Sequence, residues 1–142
     1  MRGSMAQYEY LDRTADIAFR AWGDSLPAAL AAMTEGVLDL MGEGCSVAAR
    51  EERRVSARGE AADERIVNYF NELLFVIEAE RWLPCAVKAI AAGEERIEAL
   101  LAGEPFDPAR HAFSGGIKAA TYHDFALRET DGRWELRMVF DV

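Results

Sequence analysis

The chain has 142 residues, of which 51% are hydrophobic, and this is enough for one domain with a core of its own. Acidic residues outnumber basic ones by 25 to 16, so the formal net charge is -9. A surface of this sign repels phosphate backbones, whose binding needs clustered Lys and Arg, so we expect no direct tight binding of nucleic acid. The sequence has no run of about 18 apolar residues, and no membrane span is therefore expected.

The start of the chain and its cysteines bear on the compartment. Met1 to Ser4 lack an apolar signal region and are typical of an expression-vector remnant before a native Met5. Cys45 and Cys85 form no CxxC motif, and no secretory signal accompanies them. We therefore predict reduced thiols in a cytoplasmic protein, with residues 1–4 as a non-native start and 5–142 as a single domain.

Two segments carry apolar residues at spacings of three and four, which predicts two amphipathic helices. The first covers residues 26–40, with Ser25 as its N-cap. The second covers residues 66–77, and Asp63 and Glu64 suit the positive N-terminal end of that helix.

The rest of the sequence reads as strands joined by turns. Asp131-Gly132 is a strong hairpin dipeptide between the last two strands, and residues 92–95 form a plausible hairpin turn earlier on. This order favours the α+β class, as a single domain of largely antiparallel β-sheets packed with two main helices. The predicted strands cover residues 16–22, 53–57, 86–91, 96–101, 117–127 and 134–140.

Two carboxylates lie at opposite ends of the chain and in similar strand positions. Asp16 begins a strand and Asp141 ends one, and each has the parity opposite to the apolar face of its strand. If the first and last strands pair, the two side chains meet at one end of a sheet. With the carboxylate of Val142 they would form an all-oxygen site that suits a hard cation such as Ca²⁺ or Mg²⁺. The competing interpretation is that Asp16 caps a turn and Asp141 is solvated.

Several short motifs, taken in order, resemble the archease family over nearly all of residues 8–142. Each motif is weak alone, and their order and spacing together are specific. They are Asp12-Arg13-Thr14-Ala15-Asp16, then residues 21–26 from Ala21-Trp22-Gly23 onward, Asn71-Glu72-Leu73-Leu74, Gly103-Glu104-Pro105-Phe106-Asp107, Lys118-Ala119-Ala120-Thr121-Tyr122-His123 and Asp141-Val142. The family usually carries His where this chain has Arg13, a cation that could disfavour a nearby metal or hold the carboxylates itself.

The resemblance implies a function as well as a fold. Archease is an accessory activator of the GTP-dependent RNA ligase of tRNA splicing and RNA repair, promoting nucleotide loading and multiple turnover of the ligase. By resemblance, Asp16, Asp141 and the Val142 terminus would bind a divalent cation, with Ca²⁺ expected first and Mg²⁺ or Mn²⁺ as alternatives. Lys118 would have a functional role, and Asp12 and His123 are further candidates for function or partner contact.

Other interpretations of the same residues remain open at this stage. Lys118 could be an ordinary solvated strand residue, and a strand histidine such as His123 is more often packed or exposed than a base. A metal-dependent hydrolase using Asp16 and Asp141 is the rival class, weakened because no general base with an assigned partner is evident. A general chaperone-like binding module is a third possibility, which would need apolar surface.

Overall fold

The computed structural model describes residues 7–12, 16–42, 46–111 and 116–142. Within these ranges seven strands and two helices follow in the order ββαβαββββ, which confirms the predicted α+β class. The elements are β1 Tyr8–Asp12, β2 Asp16–Gly23, α1 Leu26–Met41, β3 Glu51–Arg58, α2 Ala62–Glu78, β4 Trp82–Ala92, β5 Arg96–Pro105, β6 Ala119–Thr130 and β7 Arg133–Asp141.

Both predicted helices form, and local chemistry explains where α1 begins. The Ser25 hydroxyl accepts a hydrogen bond from the Ala28 N–H at 3.1 Å, and Pro27 occupies the first turn, where a missing N–H costs nothing. The N-cap residue of α2 is Ala61, which makes no side-chain capping hydrogen bond. Asp63 and Glu64 lie in the first turn near the positive helix end, as predicted.

The strands form two antiparallel sheets. One has four strands in the order β1-β2-β7-β6, and the other has three in the order β3-β5-β4. Each helix contacts both sheets: α1 packs on β1, β2, β7 and β4, and α2 packs on β3, β4, β5 and β6. The last strand of the chain therefore lies inside the first sheet, directly beside β2.

The core lies where the helices meet the sheets, and aromatic rings connect its layers. The Phe140 ring of β7 makes edge-on contacts with Phe19 of β2 and Phe70 of α2, each at 5.9 Å between centroids. All three side chains are at most 1% exposed. Between the helices, the hydroxyls of Thr34 and Tyr69 hydrogen-bond at 3.1 Å, and burial raises the pKa of Tyr69 to about 12.

The structure corrects several strand assignments. β1 was not predicted: it has only five residues, and Tyr10 on this strand is exposed. β4 begins at Trp82 rather than residue 86 and includes Pro84, which an edge strand tolerates. β6 begins at Ala119 rather than residue 117. The predicted non-native start, residues 1–4, lies outside the described residues, as do Arg13 and Cys45.

Candidate functional site

The two carboxylates from opposite ends of the chain lie across from each other. Strands β2 and β7 pair antiparallel, and the register sets Asp16 directly opposite Asp141. The predicted meeting of the two side chains was conditional on this strand pairing, and the pairing is present. Residues directly opposite in an antiparallel pair have Cβ atoms about 5 Å apart, so both carboxylates occupy one end of the sheet.

The environment of this pair is acidic and open to solvent. Asp16 is half-buried, whereas Asp141 is exposed and Val142 is 44% exposed. Within the described residues, neither aspartate has an ion-pair or hydrogen-bond partner for its side chain. Two unpaired carboxylates at this separation repel each other, and a cation between them would remove that repulsion.

Lys118 lies at the same end of the sheet, one residue before β6. Its backbone N–H donates to the carbonyl oxygen of Asp141 at 2.8 Å, and the next residue, Ala119, is the register partner of Asp141. The Lys118 residue is exposed. The structure thus places two aspartates on the paired strands β2 and β7, and a lysine just before the neighbouring strand β6, at one end of the sheet.

His123 lies elsewhere on the same strand, in a bulge. The register of β6 and β7 shifts between Thr121 and Ala126, so five steps along β6 match two along β7. His123 is exposed within this bulge, and its Nε2 lies 3.5 Å from the Asp124 carboxylate. Because it lies four residues beyond Ala119, the structure does not place it beside Asp141.

Asp12 is described by its backbone alone. It is the register partner of Ile17 on β2, one residue from Asp16, and its side chain is outside what the structure describes. The neighbouring residues 13–15 are outside the described ranges too, so the effect of Arg13 on the carboxylates stays a prediction.

A second polar cluster is buried away from the sheet end. Glu104 is 1% exposed, and its carboxylate accepts from both Arg110 nitrogens at 2.9 and 2.7 Å and from the Ala48 N–H at 2.8 Å. His111 Nε2 lies 2.9 Å from it. His111 Nδ1 accepts from the Asp107 N–H at 2.8 Å, so Nε2 carries the proton and donates to Glu104.

These contacts give Glu104 a structural role. Hydrogen bonds from the Arg110 guanidinium, with the further donors, hold the pKa of the Glu104 carboxyl far below its ordinary range. The cluster ties β5 to the segment before β3 and to the turn at residues 107–111. No structural role for the Gly103–Asp107 motif was predicted from the sequence. The signal was an acidic residue followed, six and seven residues later, by Arg and His.

The chemistry of the carboxylates at this end of the sheet bears on which metal ion could bind there. Among the residues that the structure describes, no three side chains of His, Cys, Asp and Glu come together as a metal-binding group. The predicted site is of a different kind, because it would combine two aspartates with the carboxylate of Val142. Its all-oxygen, negatively charged chemistry fits a hard divalent cation.

The fold and this sheet end define the class of protein: an acidic two-sheet α+β domain with two aspartates opposite each other at one end of a sheet. The model of the "Archease protein family (MTH1598/TM1083)" matches residues 8–142. The chain belongs to the archease family.

Individual relatives agree with the family match. "Protein archease" of Methanopyrus kandleri is 32% identical over 138 residues, covering 95% of this chain and 99% of the relative. "Protein archease" of Pyrococcus abyssi is 32% identical over 143 residues, covering 97% of this chain and 100% of the relative.

Two solved structures share the fold. The solution structure of Methanobacterium thermoautotrophicum protein 1598 has a TM-score of 0.80 at 24% identity, covering 97% of this chain and 100% of that one. The crystal structure described as "an archease, possible chaperone" from Thermotoga maritima has a TM-score of 0.64 at 21% identity, covering 94% of this chain and 96% of that one.

In the described part of the chain, neither helix combines the length and the apolar character that crossing a membrane requires.

Proposed function

We propose that this protein is an accessory activator of a GTP-dependent RNA ligase in tRNA splicing and RNA repair. It would promote nucleotide loading of the ligase and allow the ligase to turn over repeatedly. The observation that carries the proposal is the meeting of Asp16, Asp141 and the Lys118 backbone at one sheet end, in a chain of the archease family.

In this proposal the sheet end acts as a cation site. Asp16 and Asp141 would hold a divalent ion together with the carboxylate of a chain that ends at Val142, and Ca²⁺ is favoured over Mg²⁺ or Mn²⁺ because larger ions accept irregular oxygen sets. The ion would supply positive charge where phosphate groups of the ligase reaction gather. Strand pairing keeps the two carboxylates in place, and Lys118 offers its ammonium to the same acidic cluster, to a phosphate or to the ligase.

The charge of the whole protein favours a protein partner. With a net charge of -9, the domain would be steered towards a basic RNA-binding cleft, whereas RNA itself would be repelled. The proposal places the protein in the cytoplasm beside the ligase, and gives it no membrane contact and no tight RNA binding of its own.

Two other functions receive less support. A hydrolase needs a general base close to the reacting water, and His123 lies along β6 in the bulge, away from Asp141. A general chaperone needs apolar surface, and the exposed large apolar side chains among the described residues lie on different elements: Tyr10, Phe75, Tyr122 and Val142.

The test is a ligase assay with and without this protein. The purified protein alone should neither hydrolyse GTP nor join RNA. In substoichiometric amounts it should shorten the lag to the ligase–guanylate adduct and raise the number of products per ligase. Lys118→Ala and Asp16→Ala should each reduce this stimulation while circular dichroism shows a folded protein. Metal-dependent GTP hydrolysis by the protein alone, lost in Asp16→Ala, would instead establish the hydrolase.

A further inference from the structure

Helix α2 reaches an edge of each sheet through two asparagine side chains one turn apart. Asn68 Nδ2 donates to the Arg58 carbonyl at 2.9 Å, at the end of edge strand β3. Asn71 contacts Ala120 at the start of edge strand β6. The two contacts therefore fix the helix to different sheets, and they can be removed one at a time.

Asn71 pairs with both backbone groups of one residue. Its Oδ1 accepts from the Ala120 N–H at 2.7 Å, and its Nδ2 donates to the Ala120 carbonyl at 3.2 Å. A residue on a neighbouring antiparallel strand would make the same pair of bonds with its own N–H and C=O, so the Asn71 side chain substitutes for an extra strand at this point. Asparagine is a poor residue for a helix interior, and this contact gives it a reason to be there.

The contact lies two residues from Lys118, on the opposite side of the strand from β7. On the β7 side, the Lys118 N–H donates to the Asp141 carbonyl at 2.8 Å. Ile117, just before it, is 2% exposed, and Ala120 is 5% exposed. The short segment 117–120 is thus held by the core, by β7 and by Asn71, while the Lys118 side chain stays free in solvent.

We propose that Asn71 is a positioning residue, which holds the start of β6 and thereby fixes Lys118 beside Asp16 and Asp141. The functional part of this inference rests on the proposed function, because that proposal gives Lys118 its role. Asn71 itself contacts backbone atoms of β6, so it acts through the segment that carries Lys118.

The first experiment measures how firmly Asn71 fixes the start of β6, and it needs no ligase. Amide hydrogen exchange is followed by NMR in wild type, Asn71→Ala and the matched control Asn68→Ala. In Asn71→Ala, the amides of Lys118 and Ala120 should exchange about fivefold faster or more, since one side of the strand loses its hydrogen bonds. The ε-methylene signals of Lys118 should shift as well. Asn68→Ala should leave all of these signals unchanged.

A second variant keeps the test decisive if the alanine variant folds poorly. Asn71→Asp keeps the acceptor for the Ala120 N–H and loses the donor to the Ala120 carbonyl. Exchange at Lys118 and Ala120 should then be intermediate between wild type and Asn71→Ala. Unchanged exchange at both amides in the Asn71 variants would overturn the proposal.

The second experiment tests whether Asn71 acts through Lys118. Asn71→Ala should reduce ligase stimulation several-fold, and Asn68→Ala should not. In a Lys118→Ala background, Asn71→Ala should cause no further loss, because the group that it positions is already gone. An equal additional loss in that background would show an independent role and overturn the proposal.

The exchange experiment and the ligase experiment together distinguish a failure of this inference from a failure of the proposed function. If wild-type protein does not stimulate the ligase, the proposed function fails. Faster exchange at Lys118 in Asn71→Ala would still support the positioning of that residue.

Discussion

At the scale of single residues, the register of β2 and β7 sets two like charges directly opposite each other. The register sets Asp16 opposite Asp141, and their side chains have no ion-pair or hydrogen-bond partner among the described residues. Directly opposed like charges destabilise a sheet, by roughly 0.2–1 kcal/mol. The fold tolerates this cost, as is common at functional sites and uncommon where a residue serves stability alone.

The repulsion between Asp16 and Asp141 leads to a prediction about stability. Asp16→Asn should be more stable than wild type without Ca²⁺ and less stable with it. Without divalent ions, Asp16→Asn should raise the free energy of unfolding by up to about 1 kcal/mol, because the repulsion is removed. With Ca²⁺ at 100 times its dissociation constant, wild type should gain about 2.7 kcal/mol and the variant should gain much less. Thermal unfolding of both proteins with chelator and with Ca²⁺ measures the effect of the substitution and the stabilisation by Ca²⁺.

The control for this prediction is Asp131→Asn, at the other end of β7. Asp131 has φ of 53° in the turn before that strand, a conformation that Asn adopts readily. The control removes the same charge and should respond to Ca²⁺ as wild type does. Equal calcium stabilisation in Asp16→Asn would exclude Asp16 as a ligand.

Glu104 leads to a prediction about pH. Because its folded pKa is lowered by Arg110 and its other donors, its contribution to stability is present above the ordinary glutamate pKa of about 4.3. That contribution is lost as the pH falls below this value. Glu104→Gln should lower the melting temperature at pH 7, and the gap to wild type should narrow towards pH 3.

Glu98→Gln serves as the matched control on the same strand. Glu98 pairs with Arg54 at 3.4 Å on the surface, where ion pairs contribute little. The melting temperature of Glu98→Gln should therefore equal that of wild type at every pH. A constant gap between wild type and Glu104→Gln from pH 7 to pH 3 would contradict an ionised Glu104 as the source of stability.

At the scale of elements, β4 and β5 approach closely enough to require a glycine. A Cβ added at Gly103 would overlap the Leu83 carbonyl oxygen and lie 2.8 Å from the Pro84 Cα, both of which are backbone atoms of β4. Gly103→Ala should therefore separate the strands and lower the free energy of unfolding by about 3 kcal/mol. Gly93→Ala, in the hairpin of the same strands, would make an ordinary 3.4 Å contact and should be nearly neutral.

Denaturant unfolding of the two alanine variants checks this difference. Loss of stability in Gly103→Ala should coincide with changed NMR signals at Leu83 and Pro84. Equal stability of the two variants would mean that β4 shifts without cost. In that case the Gly103–Glu104 segment would not fix the register of the second sheet.

The elements also show which parts of the fold the sequence could predict. Helix periodicity and the Asp131-Gly132 turn are local signals, and both were confirmed. The β6 bulge is a different case. Ala120 and Leu127 face the core side yet are seven residues apart, an odd spacing that strict alternation would put on opposite faces. Both residues can face the core because β6 has extra residues in the bulge between Thr121 and Ala126.

At the scale of the whole molecule, the limits of sequence reasoning are limits of long-range pairing. The alternation of side chains along each strand puts Asp16 and Asp141 on the face opposite to the apolar one. Their meeting then followed from the single assumption that their two strands pair. Nothing local indicated that β3, β4 and β5 would form a separate sheet. The buried Glu104 cluster depends partly on that sheet, because it joins the end of β5 to the segment before β3, which is distant in sequence, as well as to the nearby turn at residues 107–111.

The charge of the whole molecule gives the last prediction. If an acidic domain docks beside a basic cleft of the ligase, long-range attraction speeds their encounter. Raising monovalent salt from 0.1 to 1 M shortens the Debye length from about 10 to about 3 Å, so the association rate constant should fall about tenfold or more. The dissociation rate constant should change much less, because contacts within the complex are screened less than the approach. Stopped-flow mixing of labelled protein with ligase measures both constants. An association rate that is insensitive to salt would remove charge complementarity as the basis of docking, and one that rises with salt would indicate that burial of apolar surface drives association instead.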